Sequence, residues 1–182
     1  MKKLKLGPLT TIYHGKIFTI KQRPVTFPNG SQTMFEYCAR PGSVSILAFN
    51  EKNELLMIKE RRHEYKKSVW FLPGGRIDNK NDTPKKAALR ELREETGYSA
   101  KTIKLIHKKS PSDTLLWNIY IFAAKNLFSS PLPPDPGELI TPHFIPFKKA
   151  VKMALDGTIE NEFIAYNIIR FNEMLRNKEF RW

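Results

Sequence analysis

Over the first forty positions apolar and polar residues alternate in short runs separated by turn-forming residues. Residues 11–13, 16–20, 23–27 and 33–38 each read as a short strand, with Pro28, Asn29 and Gly30 supplying the turn between the last two. After Pro41 and Gly42, the apolar runs 43–49 and 54–58 flank Asn50-Glu51-Lys52-Asn53, a pattern that predicts a second hairpin. A short strand over 70–72 runs into Pro73-Gly74-Gly75, and further strands are expected at 102–107, 116–124 and 140–145.

The periodicity turns helical at 84–96. Thr83 can cap that segment, Pro84 suits its first turn and Gly97 can end it in the left-handed conformation. Two more helices are expected, over 147–155 before Gly157 and over 161–176. In the second, Phe163, Ile164, Ile168, Phe171 and Leu175 fall close to one helical stripe. A proline-rich loop covers 129–137. The pattern describes a chain of the α/β (α+β) class: an antiparallel strand extension over 1–42, then a domain over 43–182 in which a mixed sheet lies between helices. The sequence contains no internal repeat and no low-complexity tract.

Composition narrows the class of function. The 182 residues, 41% of them hydrophobic, suffice for one packed domain with a small appendage. Apolar runs such as 119–124 are far short of the roughly 20 residues that span a bilayer. The start Met1-Lys2-Lys3-Leu4-Lys5 is basic, but Gly7, Pro8, His14 and Lys16 stand where the apolar core of a signal peptide would lie, so an unexported, cytoplasmic protein is expected. Cys38 is the single cysteine, which excludes an internal disulfide and a multi-cysteine metal site. The net charge of +13 is spread over pairs such as Lys66-Lys67, Lys85-Lys86, Lys108-Lys109 and Lys148-Lys149, without interleaved aromatics. That distribution predicts a solvated surface suited to a small anionic substrate rather than a nucleic-acid groove.

The chemistry concentrates on the helix at 84–96. Arg90-Glu91-Leu92-Arg93-Glu94-Glu95 places Glu91 three residues from Glu94 and four from Glu95, so the three carboxylates share a face. Like charges at that spacing repel. Arg90 and Arg93 can neutralise them in part, as on an ordinary solvated helix, but a hard divalent cation does so better. Mg2+ is the first candidate and Mn2+ the second, because oxygen ligands from one or two carboxylates and from substrate phosphates suit such ions.

Pro73-Gly74-Gly75, then Asp82, then Arg90-Glu91-Leu92-Arg93-Glu94-Glu95-Thr96-Gly97-Tyr98 resembles the signature box of the Nudix hydrolases, with the family's seven residues between Asp82 and Arg90. Two positions depart from it: Asp82 stands for a glutamate, and six residues rather than five separate Gly75 from it. The resemblance implies the Nudix fold, with Glu91 and Glu95 as direct metal ligands, Glu94 as a further ligand or orienting group and Gly74 as a ligand through its carbonyl. It also implies that Arg90 pairs with the box carboxylates.

Outside the box the pattern is similar to the ADP-ribose and nucleotide-sugar pyrophosphatase branch. Lys59-Glu60-Arg61-Arg62 resembles a segment whose arginine contacts substrate, so Arg62, with Arg61 beside it, is a candidate substrate contact. Glu138, and second Asp135, match the branch's loop carboxylates that bind a further metal or take a proton from water. Tyr37, Tyr65 and Trp70 are candidates for stacking on a base, against the plainer reading of aromatics as core. Ser110-Pro111 lies near the branch's Ser-Pro-Gly segment but lacks its glycine. In that branch the N-terminal strands help to form a homodimer, which the resemblance implies here.

The reaction so implied is metal-assisted attack of water on one phosphorus of a nucleoside diphosphate derivative, ADP-ribose or a nucleotide sugar, giving two phosphate monoesters. Two other readings fit the same residues: a nucleoside triphosphate or RNA-end pyrophosphohydrolase, and a non-catalytic Nudix-like module that binds a nucleotide as a regulator.

Overall fold

The computed structural model describes residues 3–61, 66–78, 81–137 and 139–182. In chain order the elements are β1 (Lys5–Leu6), β2 (Thr10–His14), β3 (Thr19–Thr26), β4 (Gln32–Ala39), β5 (Ser43–Phe49), β6 (Glu54–Glu60) and β7 (Val69–Phe71). Then follow α1 (Pro84–Thr96), β8 (Tyr98–Lys109), β9 (Leu115–Leu116), β10 (Ile119–Ser129), β11 (Ile140–Pro146), α2 (Phe147–Leu155) and α3 (Glu162–Arg176). They form two compact units, Met1–Gly42 with Lys109–Ile119, and Ser43–Lys108 with Tyr120–Trp182.

The first unit is a strand unit in the order β1-β3-β4-β9, with β2 also paired to β3. Residues 16–20 and 23–27, expected as two strands, instead contribute to one. The chain turns earlier, where the Gly15 N–H donates to the Phe18 carbonyl at 2.8 Å, and β3 then runs unbroken opposite β4 from Thr19↔Ala39 to Thr26↔Gln32. Pro24 is tolerated inside β3 because its backbone faces the short strand β1, where its carbonyl accepts from the Gly7 N–H at 2.8 Å. The turn at Phe27–Ser31 closes with the Gly30 N–H on the Phe27 carbonyl, at 2.9 Å, and Gly30 has φ +88°. Strand β9 lies parallel to β4, Cys38↔Leu115 and Ala39↔Leu116, and the Arg40 guanidinium stacks 4.3 Å over the Trp117 ring.

The second unit is built on a sheet in the order β11-β6-β5-β10-β8, with β7 also paired to β6. Strand β5 is buried at every position, as a strand covered on both faces must be. On one face, Ala87, Ala88 and Leu92 of α1 pack on Val44, Ile46, Ala48, Leu56, Phe122 and Ala124. Burying a leucine such as Leu92 fully is worth about 2 kcal/mol. On the other face, Phe49 meets Phe147 at the start of α2 (ring centroids 5.1 Å apart) and Phe171 of α3 (5.7 Å). The expected α+β arrangement, a sheet between helices, is therefore what the domain adopts.

Local signals set the helix ends. Thr83 Oγ1 accepts from the Lys86 N–H at 3.2 Å, Pro84 occupies the first turn, and Gly97 at φ +78° returns its N–H to the Arg93 carbonyl at 3.1 Å. Asn161 caps α3 through its side-chain oxygen, 3.1 Å from the Ile164 N–H. Strands β8 and β10 run longer than the expected 102–107 and 116–124, and β10 starts later, because β8 begins directly after Gly97 and a separate bridge takes residues 115–116. Among the described residues no helix is long and apolar enough to cross a membrane.

Candidate active site

The segment after β7 runs alongside β5: the Pro73 carbonyl accepts from the Ile46 N–H and the Gly75 carbonyl from the Val44 N–H, both at 2.9 Å. Between them, the Gly74 N–H donates to Oε2 of Glu95 at 2.7 Å. Two features require glycine here. Gly74 has φ +154°, and a Cβ on it would overlap the Val44 carbonyl oxygen. A Cβ on Gly75 would lie 2.5 Å from the carboxylate of Glu91.

The three glutamates expected to act together do share one stretch of α1, at different depths. Glu95 is buried, 8% exposed, while the side chains of Glu91 and Glu94 are 12% and 16% exposed. Arg90 gathers the other carboxylates. Its guanidinium bonds Glu94 Oε2 at 2.6 Å and Glu91 Oε1 at 2.8 Å, approaches Asp82 Oδ2 at 3.6 Å, and donates to the Arg76 carbonyl at 3.0 Å. Partial burial works against the guanidinium charge, but Glu91 and Glu94 outweigh it by charge and hydrogen bonding, and its pKa is raised above the ordinary arginine value. The pairing of Arg90 with the box carboxylates thus takes in Asp82, the residue that departs from the family's glutamate.

Among the described residues, no group of three or more His, Cys, Asp and Glu is already drawn together in metal-holding geometry. The reason is visible: Glu91 and Glu94 turn toward Arg90, and Glu95 turns toward Gly74. The donor set still fits a hard divalent cation. It offers three carboxylates on one stretch of α1, and the absence of a side chain at Gly75 lets the Glu91 carboxylate come up against the segment after β7.

The other candidates are placed as follows. Asp135 is exposed in the loop between β10 and β11. That loop's first stem is fastened to the end of α1: the Ser130 N–H bonds the Gly97 carbonyl (2.9 Å), the Leu132 N–H bonds the Arg93 carbonyl (3.3 Å), and Arg93 Nε donates to the Ser130 carbonyl (2.8 Å). Arg62, Tyr65 and Glu138 lie outside the described residues. Tyr37 is half-buried in β4, in the first unit. Arg61 and Trp70 are not brought to the glutamates: Arg61 lines a depression together with Lys59, and Trp70 lies under Lys59, its partner across the β6–β7 ladder. Sequence reasoning missed Gly75 and Arg93. The doubled glycine was a usable signal for the first, whereas the role of Arg93 depends on a loop nearly forty residues away.

A family model for the NUDIX domain matches residues 39–167. The chain is 35% identical over 95 residues to an ADP-ribose pyrophosphatase of Bacillus subtilis, an alignment covering 52% of this chain and 51% of that protein. It is 30% identical over 117 residues to a methanol dehydrogenase activator of Bacillus methanolicus, covering 64% and 63% of the two. It is 33% identical over 96 residues to an ADP-ribose pyrophosphatase of Mycobacterium tuberculosis, covering 53% and 46%. The matched part thus spans from about half to somewhat under two thirds of these relatives. A crystal structure described as an ADP compounds hydrolase superposes with a TM-score of 0.82 over 98% of this chain and 97% of its own, at 21% identity, which is a likeness of fold.

Proposed function

We propose, from the premise that the chain belongs to the NUDIX family, that it hydrolyses the pyrophosphate bond of a nucleoside diphosphate derivative, ADP-ribose or a nucleotide sugar, into two phosphate monoesters. The observation that carries this reading is the junction of the 73–75 segment with α1. There the Gly74 N–H bonds the buried Glu95, on the same stretch of helix that carries Glu91 and Glu94, both paired with Arg90. The B. subtilis and M. tuberculosis relatives, each an ADP-ribose pyrophosphatase by name, support the substrate class.

Glu91, Glu95 and the Gly74 carbonyl are the residues that would hold Mg2+ or Mn2+, with Glu94 as a further ligand or orienting group. When bound, the metal would supply charge neutralisation at the phosphates and a more acidic water. Arg90 holds Glu91 and Glu94 of α1 together with Asp82 of the preceding loop, and the bond from Gly74 fixes the rotamer of Glu95. Asp135 and Glu138 are the candidate bases for the attacking water, and their loop is held to α1 through Arg93. Arg62 is the candidate contact for the substrate's phosphates. Location in the cytoplasm and assembly as a homodimer belong to the same proposal.

The test is a panel of ADP-ribose, nucleotide sugars, dinucleoside polyphosphates and nucleoside triphosphates, assayed for phosphate-monoester release with Mg2+ or Mn2+ and with an EDTA control. Metal-dependent release from a sugar-linked diphosphate is expected. Release of inorganic pyrophosphate from triphosphates alone would replace this reading with the triphosphate one. Silence of folded, metal-supplied protein across the panel would favour the nucleotide-binding regulator.

A further inference from the structure

The register of the sheet separates two faces at the end of β6. Leu56 and Ile58 stand opposite Phe144 and Phe71, and Leu56 belongs to the core that α1 covers. Directly opposed residues in an antiparallel pair share a face, and alternate residues along a strand do too. Lys59 therefore lies on the other face, together with its two partners Thr141 and Trp70, and with His143, which opposes Met57. On that face a depression of about 370 Å3 is lined by Lys59, Arg61, Ser68, Thr141 and His143, with Leu139 and Ile140 completing it. The glutamates of α1 are on the far side of the sheet.

The lining is rich in donors. Lys59 and Arg61 bring two fixed positive charges, Ser68 and Thr141 bring hydroxyls, and His143 brings a ring nitrogen. Among the described residues no carboxylate lines the depression, and neither Lys59 nor Arg61 takes part in an ion pair. Glu160, in the loop before α3, pairs with Lys67 at 2.6 Å. Two cations held near one another repel unless an anion joins them, and the arrangement here limits how far Lys59 can swing away. Its ammonium lies 5.4 Å from the centroid of Trp70, whose ring is met edge-on by His143 at 5.2 Å.

We propose that this depression is a second anion site, which binds a phosphate dianion, either inorganic phosphate or the terminal monoester of a nucleotide, independently of the carboxylate site on α1. Lys59 and Arg61 hold the charge, Arg61 through a planar fork that matches phosphate oxygens, and Thr141 and Ser68 complete the hydrogen bonding. Arg61, a substrate contact in the sequence reading, takes this role instead.

The test is calorimetric titration of the full chain in EDTA with inorganic phosphate and, separately, with AMP. It compares the wild type, the double variant Lys59→Gln/Arg61→Gln, each single variant, and Glu95→Gln. Both cations are exposed, so the variants should fold, which thermal melting checks. The wild type and Glu95→Gln should bind alike, and the double variant at least tenfold more weakly. Equal affinity for phosphate and AMP would assign the site to the dianion alone, and tighter AMP binding to a nucleotide monoester. In 1H–15N spectra the indole resonance of Trp70, identified with Trp70→Phe, should shift on adding phosphate. Absence of binding by the wild type, or binding by the double variant equal to that of the wild type, would overturn the proposal and leave Lys59 as a stacking partner of Trp70. Binding lost in Glu95→Gln but kept in the double variant would place the anion on the α1 side and overturn it equally.

Discussion

The main-chain N–H of Gly74 donates to Oε2 of Glu95 at 2.7 Å, and this bond, with the one from Arg90 to the Arg76 carbonyl, joins the segment after β7 to the helix that carries the carboxylates. It also gives a buried carboxylate a hydrogen-bond partner. Gly74 cannot be replaced cheaply, since its φ of +154° suits glycine and a side chain would strike the backbone of Val44. Gly74→Ala is expected to lower stability by about 1–3 kcal/mol, read as a lower midpoint in urea unfolding. An unchanged midpoint would show that the segment yields without cost.

Gly75 makes a different prediction. Its backbone is unstrained in this sense, but a Cβ there would lie 2.5 Å from the Glu91 carboxylate. Gly75→Ala should therefore spare the fold and displace Glu91, with turnover falling on the order of 10²-fold. Kinetics with a parallel thermal melt separate the two effects, and a variant with full turnover would remove Glu91 from the site.

Arg90 neutralises Glu91 and Glu94 and approaches Asp82. Arg90→Gln leaves those carboxylates facing one another, and the metal-free protein should lose about 1–3 kcal/mol. Added Mg2+ should recover part of the loss, because a cation bound by the same carboxylates supplies the missing charge. Thermal shifts with and without Mg2+ measure both quantities. A loss that Mg2+ leaves untouched would argue that these carboxylates do not take up the metal.

The position of α1 follows from residues next to it in the chain. Thr83, Pro84 and Gly97 act within a few residues of the ends they set, and the helical stripe needs only 3.6-residue spacing. The three glutamates were legible for the same reason. What the sequence hides is pairing between distant segments. Nothing near Leu115 announces that it lies parallel to Cys38, and nothing near Arg93 announces the Ser130 carbonyl. Strand register was equally hidden. Lys59-Glu60-Arg61 reads as one basic segment, but a period of two sends Lys59 and Glu60 to opposite faces, so that Arg61 joins Lys59 away from α1.

Asp156, after α2, accepts from the Thr158 hydroxyl at 2.6 Å and from the Thr158 N–H at 3.1 Å, which hold its carboxyl below the usual carboxylate range. A folded-state pKa lowered in this way contributes stability that is present above the unfolded pKa and is lost as pH falls through the folded one. Thr158→Ala should raise the Asp156 pKa and make the protein less sensitive to acid. A carbon-detected NMR titration of Asp156 reads the first effect directly, and an unshifted pKa in the variant would count against the hydroxyl as its cause.

Glu95→Gln tests the central claim most directly, because the amide oxygen can keep the bond from Gly74 while the negative charge is lost. With ADP-ribose and Mg2+ or Mn2+, the wild type should release phosphate monoesters in a reaction abolished by EDTA, and folded Glu95→Gln should release none above background. Turnover in Glu95→Gln equal to that of the wild type would contradict the assignment of α1 as the metal-holding element.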